Sequence, residues 1–324
     1  MKRPWETINK STVGIGKLIF IVLLVTGVAC TRTPEDKTPV NFKVAFIGDQ
    51  GLGEAPRAVL ELIRSEGTQA VVHLGDIDYE DDPAAWDAMI NDVLGSDFPY
   101  FTCIGNHDKK MWSGPGGYQQ YIKDRFTRLG IAWNGDLGVK SSFKYKGLFI
   151  MLLAPGELDS NHAEYIKAKL VEDPSIWSIC GWHKNMTDMQ LGHKSDDTGW
   201  GVYEESRKGG AIIATAHEHS YQRTHLLSDV MNKTVASRSD TLVIDKGHSF
   251  VFVSGLGGKS IRDQERTGDW WASAYTSDQN ANYGALFGEF NVNGQANLAR
   301  FYFKDIDGVV ADSFWIQSRV EPER

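Results

Sequence analysis

Five segments that read as β-strands each end in a residue able to bind a metal ion: Asp49, Asp76, Asn106, His183 and His217. In α/β sheets, ligands bind beyond the carboxyl ends of the strands, so residues far apart in sequence can converge there. Glycines at 48, 75 and 105 precede three of them and allow the chain to turn sharply off the strand. Taken singly, each has an ordinary reading. A Gly-Asp pair after a strand is a turn, and an Asn-His pair is a helix cap. An ordered set of five, each at a strand end, is not explained that way.

The elements that must carry these residues are legible from hydrophobic pattern. Strands are expected over Phe42 to Ile47, Ala70 to Leu74, Tyr100 to Ile104, Leu148 to Leu153, Ile176 to Gly181, Ala211 to Thr215 and Phe250 to Ser254. Helices are expected over Ala55 to Ser65, Pro83 to Leu94, Gly117 to Leu129 and Asn161 to Leu170. The segments Phe287 to Val292 and Ala299 to Phe303 alternate, as antiparallel strands do. The sequence has no internal repeat and no linker after residue 42, which predicts one α/β domain of two face-to-face sheets with helices outside.

The set Gly48-Asp49, Gly75-Asp76, Gly105-Asn106-His107-Asp108, Trp182-His183 and Ala216-His217-Glu218-His219 resembles the five ordered motifs of the calcineurin-like metallophosphoesterases. Its details resemble the purple acid phosphatases. Gly48-Asp49-Gln50-Gly51 lacks the His that most of the superfamily has two positions after the Asp. Asp76-Ile77-Asp78-Tyr79 has a Tyr three after the Asp, and His217 to Arg223 is similar to His-x-His-x-Tyr-x-Arg. The resemblance implies a four-layer α/β/β/α sandwich of two mixed sheets.

It also implies two metal sites. One would hold Asp49, Asp76, Tyr79 and His219; the other would hold Asp76, Asn106, His183 and His217, with Asp76 bridging. A phenolate beside carboxylates favours Fe³⁺, and two imidazoles with an amide and a carboxylate suit Zn²⁺, Mn²⁺ or Fe²⁺. The implied reaction is hydrolysis of a phosphate monoester, of the acid phosphatase type, by attack of a metal-bound hydroxide. His107 would act as general acid, and His193 would be a second substrate contact. A phosphodiesterase on the same site is the alternative within the enzymes. A non-catalytic surface binding protein is the alternative outside them.

The net charge of −8 argues against nucleic acid as a partner, since nucleic-acid binders carry a basic surplus. It does not exclude an anionic phosphate ester, because bound metal supplies local positive charge. Lys2, Arg3, Lys10 and Lys17 precede an apolar run from Leu18 to Val25, weakening to Ala29. That run is shorter than the roughly 20 residues a spanning helix needs, and suits a signal-peptide core. Gly27-Val28-Ala29-Cys30 resembles a bacterial lipoprotein cleavage site, which implies lipidation of Cys30; an uncleaved signal anchor is the alternative. The chain therefore divides into a signal peptide (1–29), lipidated Cys and tether (30–41) and catalytic domain (42–324), with export to the cell envelope and attachment to a membrane. The sequence leaves the oligomeric state open. Cys103 and Cys180 are expected to be separate core thiols, with a disulfide between them as the alternative.

Overall fold

A computed structural model describes residues 37–320 of the chain. The expected signal segment, Cys30 and the start of the tether lie outside the described residues. Among the described residues, no helix is long and apolar enough to cross a membrane.

Two mixed sheets carry the structure. The first has seven strands in the order Thr241–Ile244, Val310–Ser318, Leu298–Asp305, Gly284–Phe290, Phe42–Ile47, Ala70–His73 and Tyr100–Thr102. The second has eight, in the order Trp271–Tyr275, Tyr221–Thr224, Val251–Ser254, Ile212–Thr215, Ser178–Gly181, Leu148–Leu153, Lys140–Tyr145 and Trp133–Asp136. In each sheet the metal-type residues follow parallel neighbours. Phe42–Ile47, Ala70–His73 and Tyr100–Thr102 run parallel in the first, and Ser178–Gly181 and Ile212–Thr215 in the second. Parallel strands send all their carboxyl ends to one edge, so both sheets present their loops on the same side.

Burial explains why these segments read as near-continuous apolar runs. Leu148–Leu153 is buried at every position. Ile150 and Leu152 face the core shared by the two sheets, whereas Phe149, Met151 and Leu153 face the helices outside. A strand covered on both faces has no need of polar alternation. Between the sheets, Phe46 meets Phe252 with ring centroids 5.3 Å apart, and Trp177 meets Phe290 at 5.2 Å. Helices His162–Glu172 and Trp200–Lys208 cover the second sheet through Ile166, Val202 and Tyr203. Glu54–Ser65 buries Val59, Leu60 and Ile63 against the first-sheet side. The expected four-layer sandwich is what forms.

The expected elements appear within three residues of their limits. The strands Trp133–Asp136, Lys140–Tyr145, Tyr221–Thr224, Leu226–Asp229, Thr234–Ser237, Thr241–Ile244, Trp271–Tyr275 and Val310–Ser318, and the helix Trp200–Lys208, carry no comparable apolar run and are additions from the structure. Asp78, Glu80, Asp81 and Asp82 form an acidic run that by composition reads as a solvated loop and helix start. Asp78 is not solvated: it is buried and accepts the backbone N–H groups of Glu80, Asp81 and Asp82 at 2.9, 3.1 and 3.0 Å. Asp82 does cap the helix Pro83–Val93, as its position suggested. Cys103 and Cys180 are free and buried, in separate core clusters, so the disulfide alternative falls.

One cross-sheet contact fixes the strand that leaves the His217–His219 loop. Arg223 Nε donates to Asp312 Oδ2 at 2.7 Å and Arg223 Nη2 to Asp312 Oδ1 at 3.1 Å. Tyr221 donates to the same Oδ2 at 2.7 Å. Both partners are almost fully buried, so removing one leaves a charge uncompensated. Asp312→Ala is expected to cost about 3 kcal/mol of unfolding free energy in a denaturant titration. A change under 1 kcal/mol would show that the pair does not brace the fold.

Candidate metal centre

The loops after the five strands bring two groups of lone-pair donors face to face. In the first, Tyr79 Oη lies 3.0 Å from Asp49 Oδ1 and 3.1 Å from His219 Nε2, and His219 Nε2 lies 3.2 Å from Asp49 Oδ1. In the second, His217 Nδ1 lies 3.0 Å from His183 Nε2, which lies 3.3 Å from Asp76 Oδ2. Asp76, His183 and His217 offer donor atoms close enough to hold one ion. The groups adjoin, because His183 Nε2 is 4.0 Å from Asp49 Oδ1 and the Asp76 charge acts on the Tyr79 phenol as well as on His183. Asn106 Oδ1 is buried beside them without a hydrogen-bond partner. A buried acceptor left unpaired is costly unless something else satisfies it. The side chains thus fit a pair of cations, with Asp76 able to serve both.

The backbone is bent to reach this arrangement. Asp49, Asp76, Tyr79 and His217 all have positive φ, at 55°, 56°, 62° and 68°. Such conformations are uncommon for non-glycine residues, and they concentrate at functional sites. Gly105 makes room for the bend, because a Cβ there would stand 2.2 Å from both Asp76 N and Asp76 Oδ1. Asp108 ties two loops together, accepting from Asp76 N at 3.0 Å, Ile77 N at 2.7 Å and Gly105 N at 2.6 Å. Burial, and then the Asp76 charge, push its pKa up to about 8 against the pull of those amides.

Each ring is also held from behind. His183 Nδ1 faces the Leu74 carbonyl at 2.8 Å, which leaves Nε2 for the centre. His219 Nδ1 bonds to Ser260 Oγ. Such outer partners fix tautomer and orientation. Without an ion the electrostatics are divided. Burial pushes the His183 pKa down, but Asp76 and then Asp49 outweigh it and raise it to about 9. Burial, then the neighbouring His183, hold His217 far below the usual range. Burial, then the Asp49 and Asp76 charges, hold the Tyr79 phenol far above its ordinary value. One imidazolium and one phenol proton thus occupy a space that cations would fill.

His107 donates its backbone N–H to Asp76 Oδ1 at 2.9 Å, and its exposed ring packs on Tyr79 with centroids 4.6 Å apart. His193 is 74% exposed and pairs with Glu265 at 2.5 Å. Its segment is fixed by backbone bonds from Glu265 and Arg266 to the Leu191 carbonyl. The neighbouring Lys194 turns inward instead, and donates to the His217 carbonyl. His73, unassigned from sequence, is buried beneath the centre, where its Nδ1 accepts from Gly75 N at 3.2 Å. Asp108, Lys194 and Ser260 were not singled out from sequence. Asp108 closes the motif Gly105-Asn106-His107-Asp108, and Ser260 follows the glycine run 255–258, whereas nothing in the sequence points to Lys194.

Metal binding makes the first test. If cations relieve this crowding, loading the purified chain with iron plus a divalent ion at a thousand times the Kd should stabilise it by about 4 kcal/mol. The melting temperature should rise by on the order of 10 °C, and a chelator should reverse the rise. Asn106→Ala should bind fewer ions per chain. A melting temperature indifferent to metal and chelator would sink the metal-centre reading.

Similarity to known proteins agrees with this geometry. The sequence profile described as calcineurin-like phosphoesterase matches residues 42–221. Among solved structures, a purple acid phosphatase from yellow lupin (Lupinus luteus) seeds matches at 18% identity with a TM-score of 0.67, over 89% of this chain and 55% of that one. The chain therefore spans about half the length of the lupin protein. GAP50, the anchor in the inner membrane complex of Plasmodium, matches at 12% identity and a TM-score of 0.57, over 86% of this chain and 89% of that one. PhoD matches at 11% identity and a TM-score of 0.52, over 90% and 75%. At such identities the likeness is one of fold. No curated protein matches the chain. The profile match covers more than half of the sequence and includes Asp49, Asp76, Asn106, His183, His217 and His219: the chain belongs to the calcineurin-like phosphoesterase family.

Proposed function

We propose that the chain is a dinuclear-metal phosphomonoesterase of the purple acid phosphatase type. The observation that carries this reading is the convergence of Asp49, Tyr79 and His219 beside Asp76, His183 and His217, the two groups adjoining where His183 Nε2 lies 4.0 Å from Asp49 Oδ1, with the unpaired Asn106 Oδ1 buried next to them. The phenol-bearing group suits Fe³⁺, and the imidazole–amide group suits a divalent Zn, Mn or Fe ion. Bound there, such ions would acidify water and neutralise the phosphoryl oxygens. The chain's own groups do the rest. Asp108, Ser260 and the Leu74 carbonyl keep the donors aimed. His107, with its ring on Tyr79 and open to solvent, supports the role of proton donor to the leaving alkoxide. His193, oriented by Glu265, supports that of a second substrate contact. One protein of this fold is described as an anchor of a membrane complex. The fold alone therefore does not require catalysis, and the donor set and His107 favour a hydrolase.

Initial rates on phenyl phosphate and on diphenyl phosphate test the reading, using the metal-loaded chain. The expected result is faster monoester cleavage, lost in Asn106→Ala, with His107→Ala slower by about 10²–10⁴-fold at unchanged metal content. The Fe³⁺–Tyr79 pair should also give visible absorbance that Tyr79→Phe abolishes. Faster diester cleavage would replace the monoesterase by a diesterase. No turnover with metal bound would favour a binding role.

We further propose that the chain is exported and held at a membrane of the cell envelope through lipidated Cys30, on the strength of the basic start, apolar run and small residues before that cysteine. Palmitate should label the wild type and not Cys30→Ala; equal labelling of both refutes the anchor.

A further inference from the structure

We infer that Lys259 selects phosphate esters whose leaving group carries a negative charge of its own. This inference rests on the hydrolase reading above and adds a substrate class to it. It begins with the glycine-rich run Gly255-Leu256-Gly257-Gly258, which the catalytic reading does not use. That loop lies across the ligand loops and is pinned to them by its backbone. Gly257 N donates to Gly48 O at 3.0 Å, Lys259 N to Asp49 O at 3.0 Å, and Arg262 N to His219 O at 3.0 Å. Gly258 has φ of 141°, and a Cβ there would stand 2.6 Å from Pro56 N. Lys259 is therefore delivered to one place with little backbone freedom.

From there its side chain reaches over Tyr79, with Nζ 4.4 Å from the ring centroid. The ring of His107, the proposed proton donor, lies against the same phenol. Sharing Tyr79 as a neighbour, the ammonium and the His107 ring flank the region that a leaving group protonated by His107 would enter. The charge is also available. Attraction to a ring face positions a cation without neutralising it. Other cations of these loops are already matched: Glu157 takes Lys109 at 2.5 Å and Lys184 at 3.3 Å, and Asp81 takes Lys110 at 2.5 Å. Among the described residues, Lys259 has no carboxylate within ion-pair distance. In a chain of net charge −8, an exposed and unmatched cation at the mouth of a phosphate site is suited to an anion that arrives with the substrate.

The test uses phosphonates, which bind without being hydrolysed. Calorimetric titration of the metal-loaded full chain compares phenylphosphonate with 4-carboxyphenylphosphonate. The carboxylate should tighten binding about tenfold, as a charge-assisted contact does. Lys259→Met should erase that preference and leave phenylphosphonate within about twofold of wild type, and Lys259→Arg should keep it. Three results would each overturn the inference: no preference in the wild type, a preference that survives in Lys259→Met, or equal weakening of both ligands in that variant. The last would make Lys259 a prop for Tyr79. If the wild type binds the phosphonates with the expected preference but hydrolyses neither phenyl phosphate nor 4-carboxyphenyl phosphate, the hydrolase reading fails and the role of Lys259 stands.

Discussion

Carboxylates, imidazoles and a phenol crowd together where the strands end, and most of the structure follows from making that tolerable. Carboxylates, a phenol and imidazoles within about 3 Å of one another cannot all keep their preferred protonation states. Protons shared among them are one settlement, visible in the raised His183 and lowered His217. Cations are a better one, because they satisfy several lone pairs at once. The positive φ of Asp49, Asp76, Tyr79 and His217 belongs to the same bend that brings these side chains together.

The fold supplies the rigidity that this crowding demands. Two mixed sheets, each buried on both faces along its central strands, direct parallel carboxyl ends to one edge. Asp108 then welds the Asp76 turn to the Asn106 turn through three amides. The Arg223–Asp312 pair joins the strand after the histidine loop to the opposite sheet. Glu157, with its side chain fully buried, sits between Lys109 and Lys184, which follow the Asn106 and His183 loops. Each device links segments distant in sequence. The precision of the centre is therefore a property of tertiary structure rather than of any single turn.

How much of this was legible in the sequence follows from the range of each signal. The long apolar strands and amphipathic helices announced themselves because a doubly buried strand must be apolar throughout. The donors were legible because they sit at the ends of those same strands. The short strands Tyr221–Thr224, Leu226–Asp229, Thr234–Ser237, Thr241–Ile244 and Trp271–Tyr275 were not, since segments such as Thr234–Ser237 bury little. Asp78 misled for a related reason. A carboxylate in an acidic run looks solvated, and only the fold brings three amides onto it. Ser260 reaches His219 from far along the chain, with only the glycine run 255–258 to mark it, and no local pattern reports Lys194. His193, which the resemblance marks as a substrate contact, has an exposed ring on a fixed loop, with Lys194 turned inward beside it.

The two free cysteines have a consequence for how such a chain can be made. Cys103 and Cys180 are sealed in different core clusters, and burial raises both thiols, Cys180 to about 12. A thiol that is neither ionised nor accessible neither attacks a disulfide nor is captured by one. Once folded, these two thiols are thus shielded from disulfide exchange with their surroundings. Maturation of residues 37–320 therefore involves no disulfide formation or disulfide isomerisation, and the interval in which these thiols are vulnerable is confined to the time before the strands around them close.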